Sequence, residues 1–338
     1  MARTISLPGF VNAHSHAFQR ALRGCAAGGD FWAWREVMLD EAGGQTEASV
    51  RALYARTYRE MRAAGFTAVG EFHYLGADTA LAAAEAADEA GIVFVCVYGA
   101  YGRGGLPRMR QESVAAYLDQ LERLRGRGVT VAVAPHSVRA CPRDWLEELG
   151  RYAADHALPL HVHADEQPRE VEECIAEHGL RPIELLADCG CLGERTTVVH
   201  ATHAEGHELD LLRDSGSVVC ACLTTEADLG DGFLPATRIR HRGIPLCVGS
   251  DSNVRIDPFE ELRQLEGIAR RQEGRRNVFS TDELWEIGGA NGAISLGLEA
   301  WPTIEIDPTH ASLEGVAEEH VRAALIAGCG ADVVVPPA

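Results

Sequence analysis

Eight short runs along the chain are rich in Val, Ile, Leu and other β-favouring residues: 5–13, 67–73, 92–98, 130–136, 159–164, 196–201, 217–223 and 244–250. Most are apolar throughout instead of alternating apolar with polar, the pattern of strands covered on both faces. Segments with helical periodicity separate them, as at 78–90, 113–127 and 257–271. Strands alternating with helices specify a parallel sheet, and eight such units predict an α/β fold, a closed (β/α)8 TIM barrel. An open doubly wound sheet is the alternative, and it lacks the glycine fingerprint expected after its first strand. The barrel is assigned to 1–297. The remainder, 298–338, reads as a short C-terminal β-rich tail that forms a reduced β-sandwich appendage.

Polar residues punctuate the ends of these runs. His14, His16, His73, His136, His163 with Glu166, His200, Thr224 to Glu226, and Asp251 all fall at or just past a predicted strand C-terminus. In a barrel those ends converge on the face that carries active sites.

Composition narrows the chemistry. All 31 basic residues are arginine, so there is no lysine for a Schiff base, a pyridoxal phosphate anchor, a P-loop or a carbamate bridge between metals. A formal charge of −19 disfavours nucleic acid and anionic membranes as partners, and an anionic substrate would need locally placed arginines. The ten cysteines form no CxxC pair and read as reduced, mostly buried thiols. No uninterrupted apolar stretch approaches membrane-spanning length and no leader pattern opens the chain, so a soluble cytoplasmic protein is expected.

His14-Ser15-His16 places two imidazoles on one side of an extended strand, because side chains repeat with period two. With His163 and Asp251 they make three imidazoles and one carboxylate, a set suited to one divalent metal, Zn²⁺ first and Fe²⁺ second. His161 is the alternative ligand in HVHADEQ, but the spacing from His163 to Glu166 sets that glutamate just beyond the strand as a proton shuttle. A divalent ion brings the pKa of its water to about 7, so a hydrolytic attack on an sp² carbon bearing nitrogen fits, with Asp251 and His200 orienting the water. A core role for His200 stays open. His203 reads as structural.

These motifs, PGFVNAHSH, HxxE, VVHATH and GSDS, resemble the amidohydrolase superfamily. Within it, HSHAFQRALRG, FWAWREVM, EFHY, PHSVRA, HADEQPREVEEC, TTEADLGDGFLPAT and GSDSNVRIDPFEELRQLE resemble the formimidoylglutamate deiminases, in the expected order along the barrel. The resemblance implies hydrolysis of N-formimidoyl-L-glutamate to N-formyl-L-glutamate and ammonia in histidine breakdown, with one metal, usually zinc. It also implies that Gln19, Arg35, Tyr98, His136 and Arg139 bind a small anionic, amino-acid-derived substrate, and that the chain forms a homodimer. An arginine fork suits a carboxylate. Trp32 and Trp34 either wall the pocket or pack under a loop, and Glu226 receives no role. The family ordinarily carries further N-terminal strands, whereas this chain starts almost at the first barrel strand, so either a truncated chain or a smaller sandwich is expected. The alternative function is another deaminase or chlorohydrolase of the same fold, acting on a purine, pyrimidine or triazine ring.

Overall fold

The computed structural model describes residues 4–25 and 28–336. The first apolar run divides in two. Ile5–Pro8 (β1) leaves the barrel and pairs antiparallel with a strand near the other end of the chain, Thr303–Ile306, with Ile5 opposite Ile306 and Pro8 opposite Thr303. Phe10–Ser15 (β2) begins the barrel. The expectation of a single strand over 5–13 is therefore corrected, and Gly9 is the reason: a Cβ there would lie 2.4 Å from Thr67 Oγ1 and 2.5 Å from Pro302 O, too close for any side chain.

The remaining barrel strands are Phe66–His73 (β3), Val93–Ala100 (β4), Val131–Pro135 (β5), Leu160–Ala164 (β6), Thr196–His200 (β7), Val218–Ala221 (β8) and Leu246–Val248 (β9). They form one eight-stranded sheet in chain order, and every neighbouring pair is parallel. An isolated parallel bridge between Ser15 and Asp251 joins β2 to the end of β9. His16 N–H donates to Asp251 O (2.8 Å) and Asp251 N–H to His14 O (3.0 Å), so the closure runs through three of the candidate metal ligands. Gly249 permits it, since a Cβ there would sit 2.6 Å from His14 O.

Helices cover the strands. Ala77–Ala90, Val114–Gly126 and Pro258–Glu273 match the three expected segments, the last two opened by side-chain caps from Ser113 and Asp257. Helix Ala290–Ser295 closes the N-terminal end of the barrel, where the His161 ring lies 2.8 Å from Ser295 O. The segment after 298 departs from a β-rich tail. It holds the four-residue strand Thr303–Ile306 (β10), the helix Val321–Gly328 and short 3-10 turns. Its Val-rich end contributes only a single bridge, Val334 to Ile306. β1 supplies the second strand of the small sheet. All ten cysteines are unpaired, nine of them buried. Among the described residues no helix is long and apolar enough to cross a membrane.

Candidate active site

Strand alternation turns His14 and His16 inward together at the end of β2. Asp251, just past β9, presents Oδ1 to His14 Nε2 at 3.3 Å and to His16 Nε2 at 3.4 Å. His163, from β6, brings its Nε2 to 3.1 Å from His14 Nε2. All four side chains are buried, and one ligand atom from each lies within 4.8 Å of the others. Several residues leave their strands here with positive φ, among them His200 (72°), Asp251 (43°) and Asn253 (56°), and such strained backbone clusters at functional sites.

The tautomers favour a cation at this cluster. His16 Nδ1–H donates to Phe72 O (2.9 Å) and His163 Nδ1–H to His136 O (2.8 Å), which leaves each Nε2 as a lone pair facing the cluster. Only His14 could offer those lone pairs a hydrogen, whereas a divalent ion would satisfy the whole set. Burial lowers the His14 pKa to about 3 and lowers those of His16 and His163 as well, keeping the imidazoles in their metal-binding neutral form. Burial opposes charge on Asp251, but His14 and the neighbouring imidazoles outweigh it and hold its carboxyl below the usual range. His161, one layer deeper in the barrel, is outside the cluster.

His200 and Glu166 stand beside these four. His200 Nε2 is 3.7 Å from Glu166 Oε1 and 4.0 Å from Asp251 Oδ2, and its Nδ1 is 3.4 Å from Glu226 Oε1. Burial disfavours a charged His200, yet Glu166, Glu226 and Asp251 together raise its pKa to about 10. It lines the cavity and does not serve merely as a core histidine. Glu226, unassigned from sequence, is buried behind it and also accepts from Cys222 N–H (2.9 Å). Nothing local in TTEADLGDG announces that contact, because Glu226 lies in the helix Leu223–Leu229 and His200 at the end of β7. His203 instead reaches Asp231 O at 2.8 Å.

The cavity above the cluster encloses about 220 Å³. Gln19, Arg35, His136 and Arg139 line it, and Trp32 and Trp34 wall it with Phe31. The only ion-pair contact of Arg35 found among the described residues is Glu36 at 3.5 Å. Arg139 Nη2 donates to Glu166 Oε2 at 2.9 Å.

Tyr98 departs from its expected place. Its ring faces away from the barrel axis, stacked on Tyr117 with centroids 5.5 Å apart, and its hydroxyl donates to Gln120 on the covering helix. His73, its neighbour on β3, also points outward, toward Tyr54 and Thr79. Two tyrosines that the sequence reading missed line the cavity instead: Tyr74, whose hydroxyl accepts from Gln19 Nε2 (3.1 Å), and Tyr101. Both follow strand ends by one residue, a position that could have flagged them.

The family model described as the amidohydrolase family matches residues 5–300. Among curated proteins, formimidoylglutamate deiminase from Pseudomonas aeruginosa is 37% identical over 327 residues, spanning 86% of this chain and 72% of its relative. The 5-methylthioadenosine/S-adenosylhomocysteine deaminase of Halobacterium salinarum is 29% identical over 303 residues, spanning 88% and 70%. Among solved structures, an amidohydrolase from Brucella melitensis superposes with a TM-score of 0.86 at 32% identity, covering 97% of this chain and 84% of that one. An adenosine deaminase from Xanthomonas campestris with bound zinc reaches 0.89 at 23% identity, covering 98% and 78%, a likeness of fold.

Proposed function

We propose that this chain, which belongs to the amidohydrolase family, hydrolyses N-formimidoyl-L-glutamate to N-formyl-L-glutamate and ammonia. The observation that carries the reading is the cavity itself. It joins the His14, His16, His163 and Asp251 cluster to a guanidinium, Arg35, whose one ion-pair neighbour among the described residues is Glu36 at 3.5 Å. On a chain of net charge −19, that guanidinium is the kind of group needed to hold a carboxylate. The similarity to formimidoylglutamate deiminase supports the same substrate.

His14, His16, His163 and Asp251 would hold one divalent ion, proposed to be zinc. Such an ion supplies Lewis acidity and a water activated at neutral pH. The protein's own groups do the rest. The formimidoyl carbon faces Glu166, His200 and Asp251 while Arg35, Gln19, Tyr74 and His136 hold the glutamate portion. Addition of water gives a tetrahedral carbon bearing hydroxyl and amino groups. Glu166 Oε1 takes a proton from the entering water and passes it to the imine nitrogen, then carries the hydroxyl proton of the tetrahedral centre to the resulting amino group, so that collapse to the formyl C=O breaks the C–N bond and releases ammonia. His200 Nε2, anchored through Nδ1 by Glu226, faces the developing charge. The aromatic wall of Phe31, Trp32 and Trp34 limits water around this chemistry.

Ammonia release from N-formimidoyl-L-glutamate by the purified, metal-analysed protein tests the proposal, with guanine, cytosine and N-formimidoylglycine as comparison substrates. Release specific to the formimidoylglutamate, with about one metal per chain, is the expected result. Deamination of a ring amine alone would overturn the substrate and leave the barrel chemistry standing.

A further inference from the structure

We infer that Glu170 and Arg139 form a brace that positions Glu166, so that both act on the reaction through that carboxylate; this rests on the proton-carrying role proposed for Glu166. The three residues make a closed circuit. Glu166 N–H donates to Glu170 Oε2 at 3.0 Å, Glu170 Oε1 lies 3.5 Å from Arg139 Nε, and Arg139 Nη2 donates to Glu166 Oε2 at 2.9 Å. One carboxylate is thus held at both its backbone and its side chain.

Glu170 stands in the first turn of the helix Pro168–His178, where a glutamate commonly accepts from a free N–H. Two features exceed that local duty. Its side chain is wholly buried, and its second oxygen is turned to Arg139. Among the described residues neither Glu170 Oε1 nor Arg139 Nε has a hydrogen-bond partner, and each atom has the other as its ion-pair neighbour at 3.5 Å. Arg139 is further confined by the faces of Phe31 and Trp32, its guanidinium 5.9 and 6.0 Å from the ring centroids. The brace ties down Glu166 Oε2 and leaves Oε1, 3.7 Å from His200 Nε2, as the oxygen free to move a proton. Arg139 and Arg35 line the same cavity, and Arg139 there also hydrogen-bonds to Glu166.

The test is a double-mutant cycle on the metal-loaded full chain, comparing Glu170→Gln, Glu166→Gln and the double variant, with Arg139→Lys as a second probe of the fork. Glu170→Gln should lower kcat roughly 10–100-fold, as loss of an orienting partner does, with KM and metal content unchanged. In the Glu166→Gln background the same substitution should change kcat by less than about twofold, because the group it acts through is gone. Arg139→Lys should reproduce the kcat effect and its dependence on Glu166. Equal losses in both backgrounds, or an effect confined to KM, would overturn the brace. If the wild type turns over only a ring amine, the substrate reading fails while the cycle is run on that amine, so the two failures are separable. A crystal structure of Glu170→Gln adds a readout independent of turnover: the Arg139 guanidinium should move away from residue 170 and carry the Glu166 carboxylate with it, and an unmoved Glu166 carboxylate would refute the inference.

Discussion

Replacing Arg35 by methionine keeps the length and apolar stem of the side chain and removes only the charge. In the structure Arg35 is 29% exposed and the carboxylate of Glu36 lies 3.5 Å away, so the guanidinium is available to a ligand but is partly screened by solvent. A hydrogen bond to a charged group is worth about 1.5–3 kcal/mol, and partial exposure places this one toward the lower end, about 1–2 kcal/mol. At about 1.4 kcal/mol per decade, KM for N-formimidoyl-L-glutamate should rise by about 5–30-fold. Because that contact is made equally in ground and transition states, kcat should hold. Steady-state ammonia release measures both constants, and N-propylformamidine, which offers the same reacting group without carboxylates, is the control. Its KM should be high already and indifferent to the substitution. An unchanged KM for the dicarboxylate, or an equal loss with both substrates, would refute the assignment of Arg35 as the carboxylate anchor.

Asp251→Asn should lose bound metal and turnover together, read by elemental analysis alongside the rate; a variant retaining both would remove Asp251 from the ligand set. Tyr98→Phe should leave KM untouched and cost only about 1 kcal/mol of stability from the lost bond to Gln120, whereas Tyr101→Phe should raise KM, and the reverse pattern would contradict the observed orientation of the two rings. Glu261, buried under Thr224, has its pKa raised by burial from 4.5 to about 8. A folded-state pKa above the unfolded one gives stability that is complete below about 4.5 and is lost as pH climbs through about 8. Denaturant unfolding of Glu261→Gln against wild type should therefore show a difference growing by on the order of 4 kcal/mol across that window, and a flat difference would refute the burial argument.

Much of the site was legible because its signals are local. The HxH pair needs only the two-residue period of a strand, the HxxE spacing needs only a strand followed by a helix start, and the apolar runs count the strands. The absence of lysine excludes a carbamate bridge without any structure at all. His14, His16, His163 and Asp251 come together, because the closure of a parallel barrel brings strand ends to one face.

Contacts between segments were decided by the tertiary structure. Alternation says that Val97 and Tyr98 face opposite ways, but which of them faces the axis depends on register with β3 and β5, so Tyr98 was misplaced and Tyr74 and Tyr101 were missed. The break at Gly9 depends on Pro302 and a partner strand nearly three hundred residues away, and no local pattern carries that pairing. Arg139 looks the same in sequence whether it meets a substrate or Glu166 and Glu170, and Glu226 looks like any acidic residue opening a helix. The chain's own periodicity fixes which residues can lie together on one strand or helix, while the neighbour each side chain meets across the barrel, and hence its charge state and its role, is set only when the sheet closes.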